Sequence, residues 1–171
     1  MDKIAKFEKV SFDEFKKTWT KQVGEFSEDK IKEIYDNIKL PRRATSGSAG
    51  YDFYTPISLS LEAGSEIMLP TGIRARFSPD YALIVAPKSG LGSKFRLQLN
   101  NTFGLIDSDY YYSDNEGHIM CKLINDSREG KQVSLAAGAG FVQGFFVKIG
   151  ITEDDDADGV RNGGFGSTAK N

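Results

Sequence analysis

From residue 40 to residue 151 the chain is cut into short apolar runs by clusters of Gly, Pro, Ser, Asn and Asp, and this punctuation most narrows what it can fold into. The runs are YDFYTP, ISLSLE, EIMLP, GIRARF, YALIVAP, FRLQLN, HIMCKLIN, QVSLAAG and FVQGFFVKI. They alternate apolar with polar residues and recur roughly every 8 to 12 residues, the spacing of an antiparallel sandwich, jelly roll or barrel. No fixed-period repeat runs through them. Residues 40–151 are therefore expected to form a mainly β, jelly-roll-like body.

Residues 1–39 follow a different rhythm. Phe12, Phe15, Trp19 and Val23, then Ile31, Ile34, Tyr35 and Ile38, fall at helical spacing, which predicts two helices. Ser11 and Glu14 occupy capping-box positions for the first, with Val10 and Phe15 placed as its staple and Gly24 at its end. Ser27 is the expected N-cap of the second, with Phe26 and Ile31 as staple; Glu28 and Asp29 sit in the first turn, where the helix dipole favours acids. Past Ile151, the acidic stretch TEDDDADG and the tail RNGGFGSTAKN suggest that residues 152–171 form a solvated linker and a glycine-rich arm.

Composition then removes several kinds of function. Lys and Arg number 22 against 24 Asp and Glu, a formal net charge of −2, whereas binding to nucleic acid or an anionic membrane calls for a basic excess. A single cysteine, Cys121, and a single histidine, His118, leave no disulfide framework, cysteine-built zinc site or multi-histidine metal cluster. No apolar run approaches the roughly 18 residues of a membrane span, and the opening MDKIAKFEKV lacks a signal-peptide core. The expectation is a soluble, cytoplasmic protein. Cys121 reads as a small core residue, His118 as a packing or surface residue, and Trp19 as part of a buried helical stripe.

Five stretches are too rich in Gly, Ser and Asp to be sheet alone: SAGYDFYTP, PKSGLGSK, NTFGLIDSDY, GFVQGFF and GGFGST. Gly and Ser beside Lys88 suit a phosphate cradle, because amides without bulky side chains can approach oxygens; the same composition suits any tight loop. Asp107, at the end of an apolar run, is placed either as a general base toward water or as a turn-forming Asp. Taken together and in order, the five stretches resemble the five motifs of the homotrimeric dUTP pyrophosphatase (dUTPase) family, over about residues 40–168.

That resemblance implies hydrolysis of dUTP to dUMP and pyrophosphate, which keeps uracil out of DNA and supplies dUMP for thymidylate synthesis. Asp107 matches the water-activating aspartate, and Tyr110 the tyrosine that leaves no room for a 2′-hydroxyl. Asn101 matches the uracil-reading hairpin, and Ser89 with Gly90 the phosphate contacts of the second motif. Gln143 matches a glutamine near the phosphates, Phe165 the aromatic that stacks on the base, and Ser167 and Thr168 the γ-phosphate contacts. Asp52 matches the aspartate supporting a Mg²⁺ ion held mainly by triphosphate and water, while Lys88 and Arg161 supply local positive charge.

The sequence also departs from the family pattern. Lys88 stands where most members have Arg, so a bidentate grip becomes a point charge. Ala139 and Gly140 replace a usual Asp-Arg pair, and Arg161 lies one residue nearer the glycines than is common. After Tyr110, YYSDNEGHI exceeds the shortest family hairpins, which should lengthen a loop without moving Asp107. The helical front carries none of the five motifs and is expected to be dispensable for chemistry. Two rivals stand beside this reading. One is a dCTP deaminase, or a bifunctional deaminase and dUTPase, of the same fold; the other is a regulatory binding protein that meets a protein partner through the N-terminal helices.

Overall fold

The computed structural model describes residues 2–164, so the expected contacts of Phe165, Ser167 and Thr168 lie outside the described residues. In chain order the first elements are β1 (Ala5–Lys9), α1 (Phe12–Gln22), α2 (Glu28–Asp36), β2 (Arg42–Arg43), β3 (Tyr51–Tyr54), β4 (Leu59–Leu61) and β5 (Glu66–Phe77). They are followed by β6 (Tyr81–Pro87), α3 (Ser89–Phe95), β7 (Leu97–Leu99), β8 (Gly104–Ile106), β9 (Ile119–Asn125), β10 (Val133–Leu135) and β11 (Gly140–Lys148). One sheet has the order β1-β5-β9-β7, a second β2-β3-β11-β6-β8, and β10 pairs with β4. Every pairing is antiparallel, in keeping with the jelly-roll-like architecture expected from the short alternating runs.

Alternation places the core. Along β9, Ile119, Cys121, Leu123 and Asn125 are buried while Met120, Lys122 and Ile124 are more exposed, the period of two that a pleated strand imposes. Ile119, Cys121 and Leu123 join Phe53, Leu69, Ile73, Leu83, Val85, Leu97, Leu99, Phe141 and Val142 in one apolar cluster. Buried Asn125 is satisfied by the end of β4 and by the loop that follows β9. Its amide donates to the carbonyls of Leu61 and Lys131, both at 2.8 Å, and its carbonyl accepts from Ser127 N–H at 3.1 Å.

Two expected runs, EIMLP and GIRARF, are one strand. The β5–β9 register shifts between Pro70 and Ile73, a bulge at which Thr71 Oγ1 donates to the Ile119 carbonyl at 2.6 Å and Gly72 adopts φ +71°. Pro and Gly commonly mark a strand end, but here they mark an irregularity inside a strand that resumes its pairing.

Residues 1–39, expected to be a helical extension, open with a strand instead. β1 pairs with β5, Ala5 opposite Phe77 and Lys9 opposite Ile73, and so covers an edge that β5 would otherwise leave bare. Phe7 of this strand lies 5.5 Å from the Phe53 ring and 5.9 Å from that of Phe146, which ties it to the barrel.

The two helices start where expected: Ser11 Oγ accepts from Glu14 N–H at 3.2 Å and Ser27 Oγ from Lys30 N–H at 3.3 Å. The reciprocal half of the first capping box is made by another residue. Ser11 N–H donates to Glu116 Oε2 at 2.8 Å, while Glu14 is buried and accepts from Thr18 Oγ1 at 2.6 Å. Phe15, Trp19, Ile31, Ile34 and Val10 form a second core, joined to the first by Ile38 and Ile57. Phe26 is 45% exposed and meets Trp19 edge-on at 6.1 Å, so it caps the cluster from outside.

Gly72→Ala tests how the two cores are joined. A Cβ there would stand 2.3 Å from Ile38 Cδ1 and 3.3 Å from the Phe15 ring, in a conformation L-residues disfavour. The expected loss is about 2–3 kcal/mol, read by thermal unfolding as a fall in Tm on the order of 5–10 °C. Burial pushes the Cys121 thiol up to about 12, so a thiol reagent near neutral pH should label this residue only when the protein unfolds. Rapid native-state labelling would contradict that placement.

Candidate active site

At the turn after β7 the chain passes from one sheet to the other: β7 pairs with β9, whereas β8 pairs with β6. Thr102 takes φ +73° in this turn, its N–H donating to the Leu99 carbonyl at 2.8 Å and Phe103 N–H to that of Asn101 at 2.9 Å. A cavity of about 330 Å³ lies against this crossing, with Val85, Leu99, Ile106 and Ile119 among its apolar lining and Asn101, Asp107, Tyr110 and Arg161 among its polar groups.

Asp107 follows β8 directly and precedes a 3₁₀ turn, Ser108–Tyr112. Tyr110 N–H returns to the Asp107 carbonyl at 3.2 Å, which fixes the spacing between the carboxylate and the aromatic ring. The Tyr110 hydroxyl donates to the His118 carbonyl and accepts from Asn115 Nδ2, both at 2.8 Å. Burial pushes this phenol above its ordinary pKa, with the Asn115 hydrogen bond working the other way, so it stays protonated at neutral pH. Gly164 lies against its face, where a Cβ would come within 3.0 Å of Tyr110 Cε2. The Arg161 guanidinium touches the Asp107 carboxylate and stands 2.9 Å from Asp109 Oδ1. Arg161 and Gly164, beyond the acidic linker, thus lie against the cavity.

A second cleft is lined by Ala44, Ser48, Gly50, Asp52, Lys88 and Gln143, with neighbouring side chains. Sheet register builds it, because Gln143 stands opposite Asp52 of β3 on one side and Ala86 of β6 on the other. Lys88 Nζ donates to Asp52 Oδ2 at 2.8 Å. A Cβ on Gly140 would come within 3.2 Å of Lys88 Nζ, so glycine leaves the room through which the lysine reaches the carboxylate. Gly50 likewise makes room for Gln143, whose Oε1 would lie 2.7 Å from an added Cβ. Ser89 and Gly90 open α3, a short helix in place of the expected loop; Leu91 and Gly92 N–H groups bond the Lys88 carbonyl at 3.0 and 2.9 Å, closing its first turn.

Seven of the sequence-derived residues therefore fall into two groups, while Ser89 and Gly90 line neither cleft. Asn101, Asp107, Tyr110 and Arg161 share the first cavity; Asp52, Lys88 and Gln143 share the second, and the two have no lining residue in common. Sequence reasoning missed Asn115 and Glu116, since polar residues in a Gly-containing loop look alike whether or not they hold a partner. It gave His118 a packing or surface place; the residue is wholly buried, and its Nε2 accepts from Gly72 N–H at 2.9 Å.

The family model described as dUTPase matches residues 36–169. The deoxyuridine 5′-triphosphate nucleotidohydrolase of Glaesserella parasuis serovar 5 is 37% identical over 147 residues, covering 81% of this chain and 93% of that one. The crystal structure of the Streptococcus mutans dUTPase aligns with a TM-score of 0.59 at 35% identity, over 67% of this chain and 88% of its own. A dUTPase from Staphylococcus aureus phage phi11, in which a structural Mg(II) ion is coordinated, shares the fold with a TM-score of 0.59 at 19% identity, over 72% of this chain and 92% of its own. With the family matched across most of its length, the chain belongs to the dUTPase family.

Proposed function

We propose that this protein hydrolyses dUTP to dUMP and pyrophosphate, with Asp107 drawing the proton from the water that attacks the α-phosphorus. The observation that carries the assignment is the meeting, at one cavity, of a strand-end carboxylate, the Asn101 turn and the buried Tyr110 ring. A half-open space lined in about equal measure by polar and apolar groups suits a pyrimidine, because a base with the wrong edge would leave polar groups unpaired. The Tyr110 ring, held by two hydrogen bonds at its hydroxyl, gives the sugar a rigid wall at which a 2′-hydroxyl finds no room.

Lys88, Ser89, Gly90 and Gln143 are read as phosphate-binding residues, and Arg161 as a further cation brought in by the C-terminal arm. Because these groups are divided between two clefts of one chain, we read the working unit as a homotrimer in which one copy's second cleft meets a neighbour's first. A divalent ion has limited protein support. Among the described residues no group of three or more His, Cys, Asp or Glu can hold a metal, and Asp52 is paired with Lys88. That donor set fits Mg²⁺ held chiefly by triphosphate oxygens and water, with Asp52 nearby. When bound, the ion would offset phosphate charge and polarise the phosphoryl oxygens.

No described helix is long and apolar enough to cross a membrane. Action in a reducing cytoplasm, which the free, buried Cys121 suits, belongs to the same reading. The deaminase alternative is not favoured by relatives that are dUTP nucleotidohydrolases. The apolar stripes of α1 and α2, considered as a surface for a protein partner, are largely spent on the second core.

Pyrophosphate release with Mg²⁺ should be rapid from dUTP and slow from dCTP, dTTP and UTP; ammonia from dCTP at a comparable rate would overturn the assignment. Asp107→Asn should keep the fold and dUTP binding while lowering kcat by about 10²–10⁴, the range for a lost general base. Near-normal turnover in this variant would remove Asp107 from its role.

A further inference from the structure

Residues 1–35 precede the stretch matched by the family, yet they grip the loop that follows Tyr110. Glu116 Oε2 accepts from Ser11 N–H at 2.8 Å and Oε1 from Ser11 Oγ at 2.5 Å. To make that contact Glu116 adopts φ +56°, a left-handed conformation unfavourable for a residue with a Cβ. Gly117 follows with φ +71°; a Cβ on it would lie 2.6 Å from Tyr111 Cα and 2.8 Å from the Tyr110 carbonyl oxygen. The loop therefore folds tightly back over the backbone that carries Tyr110.

Two further ties run the same way. Tyr111 donates its hydroxyl to Glu8 of β1 at 2.6 Å, and its ring lies 4.3 Å from the Arg74 guanidinium, which also stands 3.7 Å from Glu116. Inside, Nε2 of His118 accepts from Gly72, so the neutral ring carries its proton on Nδ1, 3.5 Å from Glu14 Oε1. The geometry is too long and poorly aligned for a full hydrogen bond, and the contact is electrostatic. Burial works to raise the Glu14 carboxyl, but His118, Thr18 and Lys17 outweigh it and hold the pKa below its ordinary value, so Glu14 is ionised at neutral pH. The carbonyl of this same His118 accepts the Tyr110 hydroxyl.

We propose that β1 and α1 are a positioning device for the nucleotide pocket, setting the place of the Tyr110 ring through the Ser11–Glu116 clamp and the Glu14–His118 contact. The proposal rests on reading the first cavity as the deoxynucleoside pocket. Glu116 and His118 are positioning residues, since both act through Tyr110. The N-terminal segment, devoid of family motifs, thereby becomes a determinant of sugar selectivity.

Kinetics with dUTP and UTP on wild type, Glu116→Ala, Glu116→Gln and Trp19→Phe, together with aromatic NMR of Tyr110 in the free proteins, test this. Glu116→Ala removes both acceptors from Ser11 while leaving the cores intact. It is expected to lower the dUTP/UTP ratio of kcat/KM by about 3- to 30-fold, mainly through a higher KM for dUTP with kcat within about twofold. Its Tyr110 ring resonances should shift. Glu116→Gln, which keeps an acceptor, should recover part of the selectivity. Trp19→Phe loosens the core that seats α1 while leaving the Ser11–Glu116 clamp in place, and should lower Tm with a smaller selectivity loss than Glu116→Ala. Unchanged selectivity and unmoved Tyr110 resonances in Glu116→Ala overturn the proposal, as does an equal selectivity loss in Trp19→Phe that leaves the Tyr110 resonances unmoved. A wild type without preference for dUTP would defeat the functional reading instead, and the Tyr110 resonances would still decide whether the N-terminal segment positions the ring.

Discussion

The buried hydrogen bond from Gly72 N–H to His118 Nε2, 2.9 Å long, is the joint on which the rest of the molecule turns. The same glycine accepts Val10 N–H at its carbonyl, 3.0 Å away. A single residue thus joins three things: the segment leading into α1, the bulge of β5, and the loop that returns from Tyr110. It can do so because the bulge turns its backbone out of the ladder, and because glycine tolerates both the positive φ and the approach of Phe15 and Ile38. Leaving a buried amide or imidazole nitrogen unpaired costs more than a typical net hydrogen bond contributes, so the joint resists partial opening.

The cavity arises where the chain leaves one sheet for the other. β7 and β8 are joined by a short turn yet belong to different ladders, and a strand end that departs from its sheet leaves space beside it. Residues at such ends are held by rigid neighbours while their side chains face the opening. Asp107 and Asn101 occupy such positions, whereas Asp52, Lys88 and Gln143 are set by the register of β3, β11 and β6.

Charge is arranged locally and not by the chain as a whole, whose formal net value is −2. Lys88 is paired with Asp52, and Arg161 with Asp107 and Asp109. A triphosphate entering under the proposed mechanism would exchange one anionic partner for another on each cation. Each cation then keeps an anionic partner before and after the nucleotide enters. Release of Asp107 from Arg161 would also free the carboxylate to accept a proton from water.

Features that depend on neighbours within a few residues were legible in the sequence. Ser11 and Ser27 cap helices because a hydroxyl three residues before a free amide can reach it, and the alternation in HIMCKLIN sorts inward from outward side chains with no knowledge of the partner strand. The five ordered stretches identify a family because each loop's composition reflects a local backbone requirement. What the tertiary structure alone decided is long-range pairing. AKFEK became an edge strand because β5 had an open side, and PTG became a bulge because β9 resumed its register beyond it. Lys88 and Gln143 were separated from Asp107 and Tyr110 because antiparallel pairing puts the end of β6 that leads to Lys88 and the end of β8 that leads to Asp107 at opposite ends of one sheet. Glu116 took the place meant for Glu14 at the first helix cap. Local sequence placed a carboxylate three residues beyond Ser11, but packing drew that one toward His118, and a second carboxylate from 105 positions along the chain took up the orphaned amide.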